Sequence, residues 1–250
     1  VVPPQAAVCA AFFLLSLSLR DSRKTHMFDI DFAQSVQRIA VAFVPMMLGM
    51  VCHEVAHGWA AWRMGDPTAR AQGRLTLNPL VHLDPMGSLM FVITALTSPF
   101  VLGWARPVPV DARWFRKPSR DMMLVSFAGP CTNFILAVMF AVLLKVLVHV
   151  LPHQMQQGIF FEFFLNMSAI GIWINFTLGW FNLIPVPPLD GSHILAGLLP
   201  PALARQYHQI GRYGIIVVLI LLASGILGRV LWPLVDGSAR VVTSMLGLAI

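Results

Sequence analysis

Long apolar stretches alternate with short basic ones along this chain. Apolar positions from about Val36 to Met64 predict a first helix, with Pro45 as a kink and Gly65-Asp66-Pro67 as its stop. Residues 66–85 are a polar connection carrying Arg70 and Arg74. Residues 86–103 are uncharged and apolar but interrupted by Gly87, Pro99 and Gly103. A basic segment, 104–120, precedes a long predicted helix at about 121–151, with a break expected near Gly129-Pro130. The next helix, at about 161–184, runs into Pro185, Pro187 and Pro188, which stop it. Residues 189–212 are mixed, 213–232 form a last predicted span, and 233–250 an amphipathic tail. A helix needs ~20 apolar residues to cross a bilayer, so the pattern predicts an all-α polytopic membrane protein. Its helices form one bundle over 36–232, between an N-terminal extension (1–35) and the tail.

Composition supports that class. The 250 residues are 57% hydrophobic and only 11% charged, against about 25% charged in a soluble domain. The net charge of +6 sits between apolar segments, which marks topology and excludes nucleic acid as a partner. Cys9, Cys52 and Cys131 form no pairing framework. Residues 6–19 are too short for a comfortable span, and the charges of Arg20, Arg23 and Lys24 follow them, the reverse of a secretory signal. Two readings stand for this part: translation starting at Met27, or a short anchor helix.

One motif brings in chemistry. His53-Glu54-Val55-Ala56-His57 lies inside an apolar helix, where ionisable groups are costly and mark function. Two histidines four residues apart share a helix face and can hold one metal ion, and the glutamate beside the first can act on water there. A catalytic zinc takes a third protein ligand. Asp190, in Leu189-Asp190-Gly191 just past the proline-rich end of a span, is the leading candidate. His82, Asp84 and His193 are the others. Asp190 could instead N-cap a helix starting near Ser192.

HEVAHGWAA, NPLVHLDPMG, GWARPVPV, GPCTN and FNLIPVPPLDG, in that order over roughly residues 40–200, resemble the site-2 protease family of intramembrane zinc metalloproteases. The nearest likeness is to its short prokaryotic branch without PDZ or CBS modules. The resemblance implies Zn²⁺ held by His53, His57 and Asp190, with Glu54 as catalytic acid/base. It implies that Asn182 holds substrate backbone, where a helix–helix hydrogen bond is the rival reading. Residues 36–232 would be the intramembrane metalloprotease domain. Asp111 stands where the family often has Asn. His82 and Asp84 brace the site or cap a loop. Asn133 lines the site or packs between helices.

The metal then constrains the path of the chain. His53 and His57 lie toward the C-terminal end of their helix, and Asp190 lies past the C-terminal end of its span. Both ends must reach one membrane face, so an even number of crossings separates residues 65 and 188. Segments 121–151 and 161–184 supply two, which makes 86–103 re-entrant. The arginines at 63–74, 106–120 and 205–212 then share one face, cytoplasmic by the positive-inside rule. Residues 28–35, with Asp29 and Asp31, fall outside, in keeping with a start at Met27. Arg106-Pro107-Val108-Pro109-Val110 reads as a small β edge element, the place where proline is tolerated, to which an unwound substrate could add as a strand.

The expected function is intramembrane zinc endopeptidase in a prokaryotic plasma membrane. Its partners are the lipid bilayer and single-pass membrane protein substrates, cut in their transmembrane segments near the cytoplasmic side. A metal transporter or sensor is the second class, disfavoured by the absence of a repeat-related second half. A non-cleaving pseudoprotease that binds transmembrane helices is the third.

Overall fold

The computed structural model describes residues 32–97 and 103–248. The Met27 start, the anchor at 6–19, Asp29, Asp31 and residues 98–102 lie outside the described residues. Ten α-helices follow in order: α1 (Phe32–Arg63), α2 (Thr68–Ala71), α3 (Pro79–His82), α4 (Pro85–Thr97), α5 (Pro118–Lys145), α6 (Ile159–Asn182), α7 (Asp190–Leu198), α8 (Pro201–Ile210), α9 (Gly214–Ala223) and α10 (Ile226–Met245). A π-helical turn, Val146–Val150, extends α5.

Among the described residues, three stretches are long and apolar enough to cross a bilayer: Ala40–Arg63, Pro118–Val150 and Ile159–Asn182. Helix α5 packs against both α1 and α6, and α10 lies along α6. The shared core is Phe140, Ala141, Leu144, Ile172, Phe176 and Val235. Small residues bring the backbones together: Gly171 lies against the Phe140 ring, and Gly179 against Phe134. Outward faces carry Ile135, Met139 and Phe160, each well exposed, as suits contact with lipid tails rather than water. The chain is a multi-pass membrane protein.

The structure revises the element boundaries in four places. Helix α5 runs through Gly129-Pro130 without the expected break, just as α1 continues, as expected, through Pro45. Membrane helices accept proline where neighbours re-satisfy the freed backbone groups. The span expected at 213–232 is not continuous: α9 ends after ten residues, Gly225 adopts a left-handed φ of 72°, and α10 leaves at 78°. The small β edge element is absent among the described residues, where an isolated antiparallel bridge pairs Leu83 with Ala105. Arg106 and Val108 direct their N–H groups inward, and Pro107 and Pro109 have none to offer. Finally, α7 begins at Asp190 itself, with Leu189 at the cap position, so Asp190 is a first-turn residue rather than a cap.

Helix α4 has 13 residues, about 20 Å of rise against the ~30 Å of a hydrocarbon core. The chain beyond it returns to its own starting point. A Cβ on Gly87 would strike the Trp104 carbonyl, and the Cβ position of Gly103 lies 3.2 Å from the Gly87 oxygen. That hairpin-like return fits the re-entrant reading of 86–103. The C-terminal end of α1, the start of α5 and the end of α6 consequently lie toward one side of the bundle.

Candidate metal centre

The two histidines occupy one face of α1 because a four-residue spacing nearly completes a turn. Both are buried, at 2% and 8% exposure. His57 lies six residues before Arg63 at the helix end, about 9 Å along the axis, and His53 about 15 Å. Asp190 reaches them from the first turn of α7. Gly191 allows this by close approach: a Cβ there would strike the Leu183 carbonyl at the end of α6. The Pro187–Pro188 peptide in the connecting segment is cis.

The three side chains converge. His53 Nε2 and His57 Nε2 are 3.0 Å apart, and Asp190 Oδ2 is 3.0 Å from the first and 3.3 Å from the second. Tetrahedral zinc with bonds of 2.0–2.1 Å sets its ligand atoms about 3.3 Å apart, so the triangle has the size that ion requires.

Carbonyl oxygens fix the tautomers. His57 Nδ1 lies 2.7 Å from the Val125 carbonyl, which can only accept, so Nδ1 carries the proton. Asn133 Nδ2 donates to the Gly49 carbonyl at 3.1 Å, so its Oδ1 is the atom 2.6 Å from His53 Nδ1, and that nitrogen is also the donor. In the neutral imidazoles both Nε2 lone pairs are then bare, and they face one another. Two bare nitrogens and an Asp190 Oδ2 without a hydrogen-bond donor repel unless a cation lies between them. The donor set, two neutral imidazoles and a carboxylate, suits zinc.

The Asn133 amide extends further. Asn133 Nδ2 also donates to Asn175 Oδ1 at 3.2 Å, and Asn175 Nδ2 donates to the Gly171 carbonyl at 3.0 Å. Both asparagines are fully buried. A polar chain thus links α1, α5 and α6 and ends on a metal-facing histidine. Gly129 completes the wall: a Cβ there would lie 2.5 Å from His57 Nε2 and 2.6 Å from His53 Nε2.

Glu54 is 2% exposed. Its Oε2 accepts the Val108 N–H at 2.8 Å, and its Oε1 has no hydrogen-bond partner. The buried Arg74 holds the segment that supplies this donor. Arg74 donates to the Arg106 carbonyl at 2.6 Å, to the Pro107 carbonyl at 3.2 Å, and to the Val81 carbonyl. The buried Asp66 anchors the far end by accepting the Asp111 N–H at 2.7 Å. Asp111 caps the short 3₁₀ turn Ala112–Trp114. Hydrogen bonds from Arg113 hold its carboxyl down at about 2. One N–H of the segment expected to be a substrate edge is thus committed to Glu54.

Other expected residues fall elsewhere. Asn182 is buried at the end of α6 and donates to the Leu178 carbonyl at 3.0 Å. His82 Nε2 pairs with the Thr76 carbonyl at 2.8 Å, and Asp84 Oδ1 accepts the Gly87 N–H at the start of α4. Those bonds brace loops rather than the ligands. His193 lies in α7, outside the three-ligand group. Asn133 is the one of the three supporting candidates that touches a ligand. Asn175 and Arg74 carry no motif, although an amide inside an apolar span is itself a signal.

A profile described as peptidase family M50 matches residues 148–223, a region holding Asn182 and Asp190 but not His53 or His57. Among curated proteins, "Putative zinc metalloprotease YwhC" of Bacillus subtilis is 40% identical over 193 residues, covering 77% of this chain and 84% of its own. "Putative zinc metalloprotease Rip2" of Mycolicibacterium smegmatis is 30% identical over 189 residues, 76% of this chain and 69% of its own. The protein of that name from Mycobacterium tuberculosis strain H37Rv is 31% identical over 196 residues, 75% of this chain and 71% of its own. No solved structure matches.

Proposed function

We propose that this chain, which belongs to peptidase family M50 and is a multi-pass zinc metalloprotease of the site-2 type, cleaves the transmembrane segments of single-pass membrane proteins. The reaction takes place near the cytoplasmic face of a prokaryotic cell membrane. The observation that carries this reading is the meeting of His53, His57 and Asp190 beside an unpartnered glutamate oxygen, within helices of membrane-crossing length. A site at that depth meets peptide bonds that are themselves in the membrane.

His53, His57 and Asp190 hold the zinc, which when bound supplies a Lewis acid that polarises the scissile carbonyl and acidifies water. The chain's own groups do the rest. The hydrogen bonds at the two Nδ1 atoms orient both imidazoles. Glu54 is fixed at Oε2 by the Val108 amide, which leaves Oε1 to take the proton of the attacking water and pass it to the leaving amine. Asn182 is the candidate for holding substrate backbone, by family resemblance. The substrate helix must unwind locally, because intact helical hydrogen bonds shield its carbonyls, so helix-breaking residues are expected near the cut. The basic segments flanking the spans favour the cytoplasmic orientation.

The test compares wild type with Glu54→Gln on a panel of single-span substrates, with zinc content measured in parallel. The variant keeps its zinc and loses cleavage by about 10²–10⁴-fold, the usual worth of a positioned acid/base. His57→Ala loses zinc itself. Equal processing by wild type and Glu54→Gln overturns the mechanism. Zinc flux into vesicles that survives Glu54→Gln would mark a transporter instead.

A further inference from the structure

A cavity of about 510 Å³ opens between the C-terminal end of α1 and the N-terminal end of α5. Arg63, Met64 and Gly65 line it from one side, and Arg116, Lys117, Arg120 and Asp121 from the other. Both helices are membrane spans, and Arg63 and Pro118 are their terminal residues. The cavity therefore lies at the boundary between hydrocarbon and water. Trp59 and Trp114, both more than half exposed, stand beside it, as indole rings do at the headgroup level. The Arg63 guanidinium stacks over the Trp59 ring at 5.2 Å.

Charge here is not balanced from within. Among the described residues, none of the four cations has an ion-pair partner. Asp121 is the one carboxylate in the lining, and its Oδ2 is occupied by the Lys117 backbone N–H at 2.9 Å. The neighbouring Arg113 differs: it is ion-paired with Asp111 at 2.6 Å and does not line the cavity. A topology signal needs positive charge on one side of the membrane, but it does not need that charge gathered around a cavity. The volume falls in the range of small-molecule sites, roughly 300–1,000 Å³.

We propose that this cavity binds the phosphate-bearing headgroup of an anionic phospholipid, bridging the ends of the two helices that carry the histidines and Gly129. Basic pockets between transmembrane helices recognise such headgroups by charge, with the acyl chains remaining in the adjoining bilayer. The assignment rests on the membrane placement alone and is independent of the cleavage reaction.

The test titrates the detergent-purified full chain with phosphatidylglycerol, phosphatidylcholine and inorganic phosphate, and reads bound lipid by native mass spectrometry. Wild type retains phosphatidylglycerol over phosphatidylcholine, and equimolar inorganic phosphate does not displace it. Arg116→Gln with Arg120→Gln lowers retention by roughly 10- to 30-fold. Arg205→Gln with Arg212→Gln, an equal charge removal elsewhere, leaves it unchanged. Equal losses in the two double variants would mean general attraction and overturn the site. Displacement by inorganic phosphate would overturn the lipid assignment in favour of a soluble phosphate. Equal retention of the two lipids by wild type overturns the proposal without recourse to any variant.

Discussion

Carbonyl oxygens decide the chemistry of this centre as much as the ligands do. The Val125 and Gly49 carbonyls can only accept, and so they set both histidine tautomers. Asn175 acts one step further out, through Asn133. If that is its route, Asn133→Ala weakens zinc binding by roughly 10- to 100-fold, and Asn175→Ala on its own by less. In the Asn133→Ala background, Asn175→Ala then changes little. Chelator competition on the four proteins measures the cycle, and additive losses would refute the relay. Gly129→Ala is a second check. Its methyl group would crowd both Nε2 atoms, so zinc affinity falls at least tenfold by the same assay while the buried core of α5 is untouched. His53 and His57 were legible because their residue type and four-residue spacing imply coordination, whereas Asp190 stood beside His82, Asp84 and His193 until the family resemblance singled it out. The Val108 amide was not legible, because a backbone N–H carries no mark in the sequence and only the fold aims it at Glu54.

At the scale of elements, hydropathy located the three spans to within a few residues, and a proline misled at one of them. Pro130 sits inside an unbroken helix, since a bundle can satisfy the groups that proline frees. Gly225 proved the stronger breaker. It ends α9 with a left-handed residue, as at many helix C-termini, and turns a single expected span into an angled pair. Beyond the bend, α10 returns along α6, where Trp232 stacks on Trp173 with ring centroids 5.3 Å apart, and Trp180 donates to Ser238 at 3.0 Å. The absent β edge is equally instructive. Alternating prolines gave Arg106–Val110 an extended pattern, but the Arg106 and Val108 N–H groups and the Arg106 and Pro107 carbonyls are spent on His82, Glu54 and Arg74. Topology is tested here too. Single cysteines at Ser88 and Ser119, in a background without native cysteines, react with an impermeant maleimide from the same side. Labelling from opposite sides would mean that α4 crosses the membrane.

For the whole molecule, the ion is a cross-link between distant parts of the chain. Two ligands come from α1 and the third from α7, with α5 and α6 threaded between them. Binding that exists only in the folded protein adds its free energy to folding, about 2.7 kcal/mol at a ligand concentration 100 times Kd. Chelation should therefore lower the unfolding temperature in detergent by roughly 5–10 °C, and re-added zinc should restore it. Asp190→Ala should remove that difference, which differential scanning measures directly.

The exposures of the three ligand side chains are graded: 2% for His53, 11% for His57 and 17% for Asp190. Exposure thus rises from α1 toward α7, although the ligating Asp190 Oδ2 is itself buried. The α7 side, where the carboxylate is the most exposed of the three ligand side chains, is then the side nearest to arriving ions and to the water consumed in each turnover. A bulky side chain placed there would slow metal exchange and hydrolysis alike, with the two histidines left undisturbed behind it.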